Sequence, residues 1–266
     1  MFRDFTIGQY YPADSVIHRL DPRVKLLGTA IFLVIVFLIR DIPTFVLVTG
    51  FMCGAIILSR VPVRYMLRGL RAIFTILILT FFFTLFLTPG QTIFAIGPVK
   101  ATQDGLRTGI YMLMRLSYLV IGSSVMTLTT TPNELTDGIE TGLGFLKKVR
   151  IPVHEIALMM SIALRFIPIL MEELDRIMKA QKARGADFES GSLVHRVRSL
   201  VPIIVPLFVS AVRRADDLAM AMEARCYHGG EGRTRMKPLK FHSRDWIAFA
   251  VIIIVLAAVI VLRTVG

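Results

Sequence analysis

Two short tracts carry the residues best suited to recognition chemistry. They are Ala183-Arg184-Gly185, inside KAQKARGADF, and Ala224-Arg225-Cys226, inside AMAMEARCYHGG. Each closes a long amphipathic helical pattern within the one extended polar region of the chain. An arginine at a helix tip offers a fixed charge and five donors, a match for carboxylates or backbone carbonyls. For one copy, a surface arginine favoured by the helix macrodipole, worth about 0.3–1 kcal/mol, is an equal reading. Two copies point to docking, to a part that grips two copies of something.

Other chemistry is missing. No G-x-x-x-x-G-K-[ST] occurs, and Gly229-Gly230-Glu231-Gly232-Arg233-Thr234 lacks the lysine that reaches a phosphate, so that run reads as a flexible turn. His18, His154, His195, His228 and His242 never pair at ligand spacing. His154-Glu155 begins a zinc-helix pattern, but Leu158 stands where the second histidine is required. Cys53 and Cys226 form neither a disulfide framework nor a metal cluster, and there is no G-x-S-x-G. Glu172, Glu173 and Asp175 cluster on the polar face of a helix, where solvation or a partner contact explains them. The chain reads as neither an enzyme nor a self-powered carrier, with no cofactor of its own.

The elements that must position the two tips are helices. The fold class expected is all-α, a polytopic membrane protein with long crossed helices in a polar domain. More than half of the 266 residues are apolar and 19% are charged, the profile of a membrane protein. The net charge of +12 collects at the ends of apolar runs, which suits helices anchored in a bilayer rather than nucleic-acid binding. Residues 1–25 are polar, with Arg3, Asp4, Asp14 and Asp21, and no cleavable signal is expected.

Five spans are expected, at about 26–39, 43–59, 72–88, 108–131 and 246–262. The first two are short against the roughly 20 apolar residues of a full crossing. Lys25 and Arg40 extend the first by snorkelling, and the tight Arg40-Asp41-Ile42-Pro43 connection makes the pair a close helical hairpin. The chain then divides into 1–131, with four spans, a polar domain at 132–245, and a last span in 246–266. The positive-inside rule puts the N-terminus, loop 60–71 and residues 132–245 on the cytoplasmic side, with the C-terminus outside. Arg60, Arg64, Arg68 and Arg71 recur at helical spacing, facing either anionic headgroups or a partner protein. Arg115 lies near the outer end of its span, where snorkelling explains it more readily than a transport pathway. Thr92–Ile96 and Val99–Thr102 flank Gly97-Pro98 as a small hairpin.

Within 132–245, residues 133–149 read as a short helix with Asn133 as a possible cap and Leu135, Ile139, Leu143 and Leu146 on one face. A longer pattern runs from Pro152 to Arg184, with a kink or break expected near 167 because Pro168 removes the bond to the Leu164 carbonyl. Gly185 supplies a left-handed stop. The last pattern runs from about Leu193 to Tyr227, interrupted by Pro202 and Pro206. Ala211, Ala215 and Ala219 then form a small-residue stripe. It marks either a close helix crossing, which would splay the two arginine ends apart, or an alanine-rich helix built by propensity.

An ordered set of tracts resembles a known family. Gly8-Gln9-Tyr10, Asp14-Ser15 and His18–Lys25 precede the first span. Thr129–Pro132 and Ala163-Leu164-Arg165-Phe166-Ile167-Pro168 follow, then Ala183–Phe188 and Glu223-Ala224-Arg225. Over nearly its whole length the chain resembles the transmembrane (T) component of energy-coupling factor (ECF) transporters, vitamin and metal importers of the ATP-binding-cassette class. The resemblance implies coupling helices whose Arg184 and Arg225 insert into two ATPase subunits, which bind the ATP. It also implies a small substrate-binding membrane protein, the S component, beside the spans. Cys226 stands where the family often has glycine, which puts a glycine-dependent cap at the second site in doubt. The main rival is an ATP-binding-cassette permease that itself forms the substrate path. It would need polar groups converging within the spans, where only Thr75, Thr80, Thr84, Ser117, Ser123 and Ser124 are scattered.

Overall fold

The computed structural model describes residues 10–39, 41–96, 99–142, 144, 152–186, 188, 192–229 and 239–265. Expectations that rest on Gly8-Gln9, Arg40, Gly97-Pro98, Leu143, Leu146, Asp187 or the glycine run from Gly230 lie outside these residues. The described chain is helical apart from one small hairpin: α1 Pro22–Leu38, α2 Ile42–Ser59, α3 Val63–Leu87, β1 Thr92–Ile96, β2 Val99–Thr102, α4 Gln103–Thr129, α5 Pro132–Gly142, α6 Val153–Ala183, α7 Leu193–Glu223 and α8 Ser243–Val265. It forms two compact units, one of residues 1–141 with 239–266 and one of residues 142–238.

Helix starts follow local sequence. Asp21 caps α1 by accepting the Arg23 N–H at 2.9 Å, with Pro22 in the first turn. A proline is harmless there, because its missing N–H would have no intrahelical partner. α5 starts on a capping box rather than on the Asn133 cap expected. Thr131 Oγ1 accepts the Glu134 N–H and Glu134 Oε2 accepts the Thr131 N–H, both at 3.3 Å. Asn133 is therefore inside the helix and Thr131 is the cap. The hairpin pairs antiparallel, Ile96 with Val99 and Thr92 with Thr102, with an irregularity between Thr92 and Phe94.

The core of the first unit is Phe32, Ile35, Val36, Ile39, Phe45, Val48, Met52, Tyr118, Val255 and Val259. α1 and α2 do not form the close hairpin expected of them. Each packs chiefly on α4 and α8, with the Phe32 and Phe51 rings 5.9 Å apart between α1 and α2. Small residues permit the close crossings instead. A Cβ at Gly28 would sit 2.6 Å from Ile252 Cδ1 of α8, and one at Gly122 would meet the Phe32 ring. Arg115 does more than snorkel: its Nη2 donates to the Ile39 carbonyl at 2.7 Å, capping the end of α1. Thr80, Thr84 and Ser123 donate to carbonyls four residues back, at 2.7, 2.8 and 2.9 Å. These hydroxyls serve their own helices.

By length and composition, α2, α4, α6 and α8 can cross a membrane, joined by α3 if its two parts, Val63–Arg71 and Ile73–Leu87, count as one bent span. α1, with 17 residues, falls just short of that length. The total of four or five agrees with expectation, but the membership differs. The stretch 132–245 is not uniformly too polar to cross. The first part of α6, through Met171, is mostly apolar and carries only Glu155 and Arg165, while most of its charges gather at Glu172, Glu173, Asp175, Arg176, Lys179 and Lys182.

In the second unit both long helices run through their prolines. α6 is continuous across Pro168, and α7 across Pro202 and Pro206. Of the kink or break expected near 167, the break is absent, and so is the expected interruption of the last helix. A proline within a helix removes one backbone bond, and the remaining bonds of each helix, with the packing of α6 on α7, carry it past that position.

Candidate functional site

The two arginine tips are built alike. At the end of α6, the Gly185 N–H donates to the Lys182 carbonyl and the Ala186 N–H to the Gln181 carbonyl, both at 3.0 Å. At the end of α7, the Cys226 N–H donates to the Glu223 carbonyl at 2.8 Å and the Tyr227 N–H to the Met222 carbonyl at 3.1 Å. Both pairs are the two bonds of a Schellman motif, in which a left-handed residue follows the cap and turns the chain back on the last carbonyls. Arg184 and Arg225 occupy the same cap position. Gly185 has φ +84° and Cys226 has φ +54°, so the second cap closes without glycine.

An L-residue in the left-handed region costs about 1–2 kcal/mol. Cys226→Gly is therefore expected to raise the thermal unfolding midpoint by about 1–3 °C. Cys226→Val, branched at Cβ, should lower it. Equal midpoints for all three proteins would show that the left-handed cap is not formed.

Ala183, Arg184, Gly185, Ala224, Arg225 and Cys226 are all exposed. Among the described residues, neither Arg184 nor Arg225 has a side-chain hydrogen bond or ion pair. Each is a free cation on a rigid turn, with its donors available to an outside acceptor.

Two contacts set the tips apart. Pro206 cannot donate to the carbonyl of Pro202, four residues back, and Gln181 Nε2 donates to that freed carbonyl at 3.2 Å. Nearer the middle of α6, Glu173 lies 3.6 Å from Arg214 Nη2. Residue numbers rise along α7 as they fall along α6, so the helices pass each other in opposite senses. Gln181 holds the first tip beside Pro202, and the run of α7 from Pro202 to Glu223 is about 30 Å long at 1.5 Å per residue. The second tip therefore lies about that far from the first. Glu173, read from sequence as part of a polar face, has a specific partner across the pair. Of the alanine stripe, Ala211 is half-buried while Ala215 and Ala219 are exposed.

The first unit contains a polar clasp that sequence reasoning did not assemble. Lys25, whose side chain is 3% exposed, donates from Nζ to the carbonyls of His18 at 2.9 Å and Thr129 at 2.8 Å. Glu134 Oε2 lies 3.9 Å away. Asp245, with its side chain 1% exposed, accepts the Asp21 N–H at 2.8 Å and the His242 N–H at 2.7 Å. His18 is fixed in turn by Ser15 Oγ at 2.7 Å and the Tyr11 carbonyl at 3.0 Å. Arg19 Nε donates to Asp14 at 2.7 Å, and this bond and the arginine charge hold the Asp14 carboxyl below the usual carboxylate range. The starts of α1 and α8 and the end of α4 thus meet in one hydrogen-bonded knot, which the ion pair of Glu134 joins to the start of α5. Asp21 before Pro22 was a visible signal for it. Asp245 resembled any acidic first-turn residue, and only its burial reveals the role.

The tracts that meet in this knot, Asp14-Ser15, His18–Lys25 and Thr129–Pro132, are among those that carry the family resemblance. The family model described as cobalt transport protein (CbiQ) matches residues 13–236, which include both arginine tips. An energy-coupling factor transporter transmembrane protein EcfT of Thermosediminibacter oceani is 56% identical over 93% of each chain. The protein of the same name from Clostridium kluyveri is 51% identical over 93% of each chain. That of Bacillus subtilis is 48% identical over 99% of this chain and 100% of its own. At this identity over nearly full length, the chain belongs to the CbiQ family and, within it, to the transmembrane (T) components of energy-coupling factor transporters.

Proposed function

We propose that this chain is the non-catalytic scaffold through which two ATP-binding-cassette ATPase subunits drive uptake of a vitamin, micronutrient or metal. The cargo is held by a separate small membrane protein, the S component. The observation that carries this reading is the pair of exposed, unpartnered arginines on matching caps about 30 Å apart. ATP binds on the ATPases, and Ala183-Arg184-Gly185 and Ala224-Arg225-Cys226 are the docking positions. Ala211, exposed only in part, belongs with Ala215 and Ala219 to the stripe proposed to let a helix approach closely. A second feature suits the substrate-binding partner: Val201, Ile204, Val205, Phe208 and Val212 leave a broad apolar face of α7 exposed. Apolar patches of this kind mark protein or membrane contacts.

In this reading the N-terminus and residues 132–245 lie on the cytoplasmic side and the C-terminus outside. Closure of the ATPase pair on ATP moves the tips toward each other and tilts the substrate-binding partner. Purification of the tagged chain from native membranes, followed by identification of the retained subunits, tests the proposal. Two ATPases with a small membrane protein are expected. An ATPase pair alone would favour a permease that lines its own substrate path.

A further inference from the structure

An apolar cavity of about 500 Å³ in the first unit has no part in the docking scheme. Its walls come from four helices, through Val24 and Phe32 of α1, Phe51 of α2, Val125 of α4 and Val251 of α8. Gly54 of α2 also lines it, and a Cβ there would meet nothing within 4 Å. One end is polar, formed by Lys25, Thr129 and Arg244. Apart from Thr29, the rest of the lining is apolar.

Lys25 is committed to the two carbonyls of the clasp, and the Thr129 hydroxyl to the Val125 carbonyl at 2.8 Å. Arg244 is the group left over. Its Nε is shielded from solvent and has no hydrogen-bond partner, and no carboxylate pairs with its guanidinium among the described residues. The lining residues Val16, Leu58 and Ile247 are 54%, 53% and 64% exposed, so the slot is open through an apolar mouth. In a membrane protein the medium outside such a mouth is lipid.

Water is a poor occupant, because it needs two to four polar partners and beyond the polar end the lining offers only Thr29, whose hydroxyl already donates to the Lys25 carbonyl at 2.8 Å. A partner helix is too wide: at about 10–12 Å across, little more than one turn would fill this volume. A single alkyl chain fits the slot, and a phosphate ester at its head fits Arg244, whose fork of donors matches phosphate oxygens. We propose that this slot holds one acyl chain of an anionic phospholipid, with the headgroup phosphate on Arg244. Moving an acyl chain from the bilayer into the slot gains little by the hydrophobic effect, since both surroundings are apolar. Retention comes instead from contacts with walls otherwise facing a void and from the charged headgroup contact. A lipid seated there touches α1, α2, α4 and α8 at once and braces the unit beside the clasp.

Native mass spectrometry of the full chain in detergent, with phosphatidylglycerol or phosphatidylcholine added, tests this. One retained lipid per chain is expected, with phosphatidylglycerol held about tenfold more tightly. Gly54→Leu should reduce retention about tenfold by filling the slot. Gly50→Leu is the control, one turn earlier on α2, with equally open space at its Cβ but outside the slot. It should retain lipid as the wild type does. Arg244→Gln should still hold a lipid but lose the preference for phosphatidylglycerol. If Gly54→Leu does not accumulate, Ala55→Met narrows the same slot and gives the same reading. A photo-reactive residue at Leu58 should crosslink to phospholipid. Unchanged retention in the slot-filling variant, an unchanged headgroup preference in Arg244→Gln, or crosslinking to a polypeptide would each overturn the assignment.

Discussion

Arg184→Glu combined with Arg225→Glu is expected to abolish uptake by the assembled transporter and to strip the ATPase pair from the purified chain. The protein itself should remain folded in the membrane. Both arginines are exposed and make no side-chain hydrogen bond or ion pair with another described residue, and changes at such surface positions usually stay within about 0.5 kcal/mol of neutral. Loss of activity would therefore report on docking rather than on folding. Breaking one partner of a buried, hydrogen-bonded ion pair at an interface costs about 2–5 kcal/mol, which is roughly thirtyfold to several thousandfold in affinity.

Tips about 30 Å apart share no partner residue, so their effects should add. The single variants should each weaken ATPase retention, and the double variant should abolish it. Because Cys226 closes the same cap as Gly185, Arg225→Glu should be as damaging as Arg184→Glu. Normal uptake and normal ATPase retention in the double variant would end the docking model. A large effect at one tip with none at the other would end the twofold part of it.

The second large effect is expected at the clasp. Lys25→Met keeps the length of the side chain but removes its charge and donors. The carbonyls of His18 and Thr129 then lose bonds from a charged donor, each worth about 1.5–3 kcal/mol. Asp245→Ala strips the acceptor from two backbone N–H groups, those of Asp21 and His242. Leaving buried donors unpaired costs about 1–3 kcal/mol each. Either substitution should lower the thermal midpoint of the purified protein by about 10 °C. Asp245→Asn, which keeps one carbonyl oxygen, should fall between. Midpoints within about 2 °C of the wild type would show that the clasp is decoration rather than a joint.

How much was legible beforehand can be judged at particular residues. The Ala-Arg tips, the hairpin on either side of Gly97-Pro98 and the general count of spans all came from patterns within a few residues of each other. Such patterns are local, and local backbone preferences are written in residue type and spacing. The errors fell where packing overrode local preference. Pro168 suggested a kink or a break, and Pro202 and Pro206 an interruption, yet α6 and α7 continue unbroken through them. The tight connection after α1 suggested a hairpin, yet α1 and α2 turn to α4 and α8.

The amino-acid sequence alone determined that this is a helical membrane protein with two arginine-tipped helices and no nucleotide motif of its own. Periodicity, composition and motif spacing suffice for that. Tertiary structure decided which distant groups meet. Asp245 reaches the Asp21 backbone from 224 positions away, and Gln181 finds the carbonyl that Pro206 leaves free. No window of sequence contains these pairings. They arise because buried polar groups must find partners wherever the packed helices bring them.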